Sequence, residues 1–283
     1  MVYQEASPSS RNVVYIYIIN AILCKQNALL IFILFIFFVR LFFLCLLVSC
    51  FSWNKPLTTD FRGEQLQFTR VQAAYARRLP GIRAYLAQHG INPTQPEIFL
   101  RVFKVGRQLE VWARTRATAA PFVRVRTFYL AGTSGTLGPK RREGDGQVPE
   151  GFYQLDRFNP QSAYHLSLGL NYPNATDQHL SDAQHPGGDI FIHGSNVTVG
   201  CLPITDAGIE ELYVLAVEAR ASGQDTIGVH IFPFALTPEN LAARQPSPHA
   251  AFWQSMAAGY TYFEQNHQLP RLTTDANSAY SMH

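Results

Sequence analysis

IFIHGSNVTVGCLPITD, residues 190–206, is the stretch on which the reading of this chain turns. An apolar run ends on His193, a glycine follows, and seven residues separate His193 from Cys201. A thiol attacks as its thiolate, so a nucleophilic cysteine needs a base or a cation beside it. A histidine at the end of a strand and a cysteine at the end of the next short loop can meet, because a turn returns the chain. Gly200 lets backbone N–H groups approach a substrate, and the Cys201 amide is a natural oxyanion donor. From chemistry alone two readings stand: a nucleophile with its base, or a satisfied core histidine beside a small buried thiol. A zinc site is the third, since His179, His185, His193 and Cys201 fall within 23 residues. Those spacings match no compact zinc motif, so no metal is expected.

Outward from this stretch the periodicity is mostly that of strands. IFLRVFKV (98–105), Gly106-Arg107-Gln108 and LEVWART predict a hairpin. In 121–131, Val123, Val125 and Thr127 alternate with Arg124 and Arg126, as in a half-buried strand. AYHLSLGLNY (163–172), DIFIH (189–193) and TIGVHIFPF (226–234) read as further strands. Between them GTSGTLGPKRREGDGQVPEG, rich in glycine and charge, reads as a long surface loop. Helices are expected over 59–90, with a second short one starting at Pro80, from Thr205 or Asp206 to about Ala221, and from Pro238 to about Gln268. The tail after Pro270 reads as polar and loose.

The amino-terminal fifty residues differ. Ala28 to Val48 is apolar apart from Arg40, 21 residues in all and long enough to cross a bilayer. Arg40 followed by LFFLCLLV also forms a minimal signal peptide, and Leu47-Val48-Ser49-Cys50 resembles a lipobox with Cys50 as the lipidated residue. Export is the expectation, with lipid attachment or a retained membrane anchor as its two forms. Three of the four cysteines, Cys24, Cys45 and Cys50, belong to this leader, so Cys201 remains alone after it. A lone thiol in an oxidising compartment needs a reason to persist, and catalysis is one. Residues 1–49 hold Arg11, Lys25, Arg40 and Glu5, so the remainder carries 20 basic and 19 acidic residues. Without a basic face, nucleic-acid binding is not expected.

Several motifs in order resemble one family. His193-Gly194 and Thr198-x-Gly200-Cys201 resemble the active-site motif of the L,D-transpeptidases, or YkuD domain. Gly138-Pro139-Lys140, Gly144-Asp145-Gly146 and Pro149-Glu150-Gly151-Phe152-Tyr153 resemble the GPK…GDG…PEGxY signature of its YafK branch. Asn159-Pro160, Tyr164-His165-Leu166-Ser167, Tyr172-Pro173-Asn174 with Asp177, and Phe232-Pro233-Phe234 extend the likeness over roughly Glu97 to Leu269. Val199 stands where the common pattern has a second histidine, Leu202-Pro203 where it often has Arg or Asn, and Thr198 for the usual serine.

The resemblance implies a mainly β, α+β fold: a β-sandwich or barrel catalytic domain with flanking N- and C-terminal helices. It divides the chain into a leader (1–50), a helical segment (51–95), the catalytic domain (96–237) and a helical extension with tail (238–283). It implies a cysteine acyl-transfer enzyme without cofactor that acts on peptidoglycan stem peptides in the periplasm or cell envelope. Cys201 is then the nucleophile, His193 the base, and Gly200, Thr198 and Gly194 support the oxyanion loop. Lys140, Tyr153 and Asn174 become candidate substrate contacts, and a peptidoglycan-linked lipoprotein a candidate partner. The altered loop leans the expectation towards hydrolysis or linkage editing. The alternative is a non-catalytic peptidoglycan-binding lipoprotein.

Overall fold

A computed structural model describes residues 60–274 and 280–282. The leader, with Cys50, lies outside them. Among the described residues no helix is long and apolar enough to cross a membrane.

The hairpin predicted around Gly106 forms. β1 (Pro96–Phe103) pairs antiparallel with β2 (Gln108–Thr115), and Gly106 and Arg107 take left-handed conformations in the turn. β3 (Val123–Tyr129) adds to β2 as an edge strand, with Val125 and Phe128 turned inward. β4 (Gly151–Asn159), β5 (Ser167–Leu170), β6 (Phe191–His193), β7 (Leu202–Pro203) and β8 (Gly228–Phe232) complete a curled eight-stranded sheet. Its order is β3-β2-β1-β8-β4-β5-β6-β7. β1–β8 and β6–β7 are parallel and the remaining pairs antiparallel. The α+β expectation holds: one curled sheet dominates, and helices flank it.

Two helices start the described chain, α1 (Phe61–Gln65) and α2 (Thr69–Gln88). No new helix starts at Pro80, which lies inside α2. The ring removes one helical N–H, but Val71, Ala74, Tyr75, Ile82 and Leu86 make a single buried stripe spanning the break, and packing outweighs propensity. α3 (Ala175–Leu180) is short. α4 (Thr205–Ala221) matches its predicted span, and its residues from Gly208 to Ala219 are buried.

α4 therefore has no solvent face, and its carboxylates need partners. Arg62 meets Glu218 at 2.6 Å, Arg78 meets Glu210 at 3.0 Å and Arg126 meets Glu211 at 2.9 Å. These pairs clamp α1, α2 and β3 onto the central helix.

The expected C-terminal helix is two, α5 (Pro238–Ala242) and α6 (Ala250–Asn266), because Pro246 and Pro248 interrupt the run. The tail is not loose: β9 (Leu272–Thr274) pairs with β10 (Tyr280–Met282), and Tyr280 is buried. Its hydroxyl accepts a hydrogen bond from Asn174 at 3.1 Å. The 132–150 loop also departs from a surface loop, since Gly138, Pro139, Lys140, Val148, Pro149 and Glu150 are buried.

Candidate active site

His193 ends β6, near the edge of the sheet. The parallel register places His193 opposite Pro203 and Ile192 opposite Leu202, so Cys201, one residue ahead of β7, falls beside Phe191. Two contacts agree: the Phe191 N–H donates to Cys201 Sγ at 3.4 Å, and the thiol points to the Asp189 carbonyl at 3.6 Å. Cys201 thus leads into β7 beside the strand that His193 ends, with its sulfur turned to the backbone of Asp189 and Phe191.

The imidazole is held in one tautomer. Its Nδ1 lies 2.6 Å from the Gly194 carbonyl, which can only accept, so Nδ1 carries the proton and Nε2 keeps a lone pair. The Tyr164 ring covers it, with centroids 4.7 Å apart. Burial pushes the His193 pKa down, with the Gly194 carbonyl opposing. Burial pushes the Cys201 thiol up; the Phe191 N–H opposes this, Asp189 adds to it and Lys140 opposes it. At neutral pH the resting pair is therefore uncharged, thiol and imidazole rather than thiolate and imidazolium.

The intervening loop is tied at each turn. Thr198 Oγ1 donates to the Cys201 carbonyl at 2.7 Å. Gly200 has a φ of 95°, and a methyl group there would sit 3.0 Å from the Gln147 carbonyl. Its own N–H donates to Ser134 Oγ at 2.7 Å, so Gly200 shapes the loop without offering its amide to a substrate. The Cys201 amide has no acceptor among the described residues and stays available. Gly194 donates to the Tyr164 carbonyl at 3.0 Å, and a side chain there would overlap Asp206 Oδ1 and that carbonyl.

A polar cleft of about 450 Å³ lies between the 140–147 and 182–190 loops; Cys201 and His193 are not in its lining, but Asp189, whose carbonyl the thiol faces, is. Lys140, Glu143, His185, Asp189, Ile190 and Val199 line it. Lys140 reaches it, but its ammonium is engaged by the Arg142 carbonyl and Asp145, at 2.8 and 2.7 Å. Tyr153 and Asn174 are not among its lining residues. The Tyr153 hydroxyl donates to Asp177 at 2.9 Å, and Asn174 caps α3 while donating to the Phe152 carbonyl. Their polar atoms are held within the protein, Tyr153 by Asp177 and Asn174 by the Phe152 carbonyl and the Tyr280 hydroxyl. A larger cleft of about 660 Å³ at α5 and α6 has no cysteine, histidine or carboxylate in its lining.

His165 precedes β5 and bonds Glu210 at 2.9 Å, while Asp189 pairs with Arg157 at 2.8 Å. Among the described residues no three His, Cys, Asp or Glu side chains gather as a metal site, so the zinc set of His179, His185, His193 and Cys201 does not assemble. Ser134 and Gln147 escaped the sequence reading: both are polar loop residues over fifty positions from Cys201, and no local pattern marks them.

No family model matches the chain. It is 30% identical over 230 residues to the protein named "Putative L,D-transpeptidase YafK" of Escherichia coli K12, covering 81% of this chain and 83% of that one. The likeness to its counterpart in strain O157:H7 is the same. Among solved structures, the helical cell shape determining protein Pgp2 of Campylobacter jejuni shares 17% identity at a TM-score of 0.39, over 64% of this chain and 73% of its own. Bd1075 of Bdellovibrio bacteriovorus shares 15% at 0.36, over 63% and 76%.

Proposed function

The chain belongs to the L,D-transpeptidase family, in its YafK-type branch, and from that premise we propose that it is a cysteine acyl-transfer enzyme acting on peptidoglycan stem peptides. Cys201 is the nucleophile and His193 its base. The observation that supports this best is that the imidazole, its Nε2 lone pair uncommitted, ends β6, and the half-buried thiol leads into the adjacent β7.

When substrate fills the cleft, the Cys201 S–H proton passes to His193 Nε2 and sulfur attacks the amide carbonyl of a diamino-acid residue. The carbonyl oxygen becomes an oxyanion facing the Cys201 N–H. The C–N bond then breaks, the imidazolium protonates the departing amine, and a thioester remains on Cys201. An incoming amine gives transpeptidation and water gives hydrolysis; in either case His193 takes the acceptor's proton and Cys201 leaves as the thiol. The open polar cleft admits water readily, which favours hydrolysis or editing of an existing linkage. The apolar Ala28–Val48 run and the lipobox-like Leu47-Val48-Ser49-Cys50 support work outside the cytoplasm, with lipid attachment at Cys50 or a retained anchor as the tether.

Digestion of purified muropeptides, with intact-mass analysis after exposure to a carbapenem, tests the reading. Wild-type protein turns over muropeptides or gains one adduct. Cys201→Ala loses both, about a thousandfold or more in rate. Turnover surviving in Cys201→Ala overturns the proposal. A wild-type protein that binds peptidoglycan but never turns it over returns the chain to a docking role.

A further inference from the structure

The His193 Nδ1–H bond ends on the carbonyl of Gly194, and that carbonyl belongs to the same peptide unit as the N–H of Ser195. The Ser195 N–H donates to Asp206 Oδ1 at 2.8 Å. Asp206, the peptide and the imidazole thus form one line: carboxylate, N–H, C=O, Nδ1–H. A carboxylate pulling on an amide N–H draws electron density onto the amide oxygen, and bonds in such a chain strengthen one another by about 10–30%. We propose that Asp206 is a positioning residue which supports the positive charge of His193 through the Gly194–Ser195 peptide, an inference that rests on His193 being the base.

Two observations separate this from ordinary helix capping. Asp206 lies in the first turn of α4, yet the side-chain bond to that turn comes from its neighbour: Thr205 Oγ1 accepts the Gly208 N–H at 3.2 Å. Asp206 Oδ1 turns back to the loop instead, against Gly194, where any side chain would overlap it. Of the other charges near this peptide, Arg70 spends its guanidinium on the Ser162 and His165 carbonyls, and the rest are in ion pairs. Glu210, which holds His165, is bound by Arg77 and Arg78; Asp189 is bound by Arg157, and Lys140 by Asp145. Asp206 has no ion-pair partner among the described residues, and its Oδ1 is held by the Ser195 N–H.

Asp206→Asn keeps an oxygen for the Ser195 N–H and removes the charge. The deciding measurement is a ¹⁵N NMR titration of the His193 ring in a Cys201→Ala background, which needs no turnover, with a thermal melt to certify the fold. The relay expects the midpoint to fall by roughly half a pH unit in Asp206→Asn, the size of a screened single charge. In the Cys201 enzyme, kcat should fall about threefold with the acid limb moved the same way and KM unchanged. Asp206→Glu, which keeps the charge, should titrate with the wild type. A folded Asp206→Asn whose midpoint does not move overturns the relay and is what a capping role predicts; an Asp206→Glu whose midpoint falls together with that of Asp206→Asn overturns it as well. If wild-type protein shows no Cys201-dependent turnover, the function proposed above fails, while the titration still decides the relay.

Discussion

Around Glu150 the polar atoms are saturated; around His193 and Cys201 they are not. Glu150 is fully buried, accepting from the Gly138 N–H and the Lys104 ammonium at 2.8 Å each and from the Trp253 indole at 2.7 Å. Lys104 uses its other donors on the Gly138 and Val148 carbonyls, at 2.9 and 3.1 Å. The cluster staples the long loop to β1 and α6. At the other cluster the imidazole keeps a lone pair, the Cys201 amide keeps its hydrogen, and burial holds both titrating groups neutral. Complete pairing fixes a shape, whereas capacity left open can be completed by a substrate.

Removing one partner from each cluster gives the largest contrast. Glu150→Ala leaves the Lys104 ammonium buried and unpaired, and should cost about 3–5 kcal/mol of stability in denaturant melts. Cys201→Ala removes one half-buried sulfur with only weak contacts and should cost less than about 1 kcal/mol. Equal costs would erase the distinction between framework and site.

A backbone change sharpens it from the side of the site. Gly200→Ala forces a methyl group into a left-handed conformation and against the Gln147 carbonyl at 3.0 Å. Such strain costs about 1–3 kcal/mol. Because the turn aims the Cys201 amide and sulfur, the expected result is roughly a tenfold or larger loss of acylation rate with a smaller drop in melting temperature than Glu150→Ala. Unchanged acylation would show that the turn does not aim the nucleophile.

The same contrast explains what the sequence disclosed. β1, β2, β3 and α4 were legible because their apolar residues repeat at strand or helix spacing. His193 and Cys201 stand out as candidates in the sequence because a strand, a glycine-bounded loop and a lone cysteine coincide within seventeen residues. The GPK…GDG…PEGxY residues were legible as a motif but not by role. Lys140 pairs with Asp145, Glu150 with Lys104, and Tyr153 with Asp177, contacts that only the folded loop creates. Pro80 and the tail misled for one reason: local propensity argued for a break or for looseness, while buried stripes and Tyr280 decided otherwise.

The smallest effect concerns the resting thiol. Burial raises its pKa above the ordinary thiol value, so folded protein holds less thiolate than an unfolded chain at the same pH. Alkylation by iodoacetamide near pH 7.5 should therefore be slower in the native protein than in urea, and the native rate should still be climbing where the unfolded rate has levelled off. The linked stability has the same sign: a group whose folded pKa is raised favours the fold below its unfolded value, and that contribution is lost as pH rises through the folded one. Since the His193 pKa is lowered, the imidazole carries no charge in this range and cannot stabilise a thiolate at rest. His193→Ala should then leave the alkylation profile in place while abolishing turnover of substrate. A native thiol that reacts faster than the unfolded one, and slows when His193 is removed, would mean a preformed ion pair, and the neutral resting site would have to be given up.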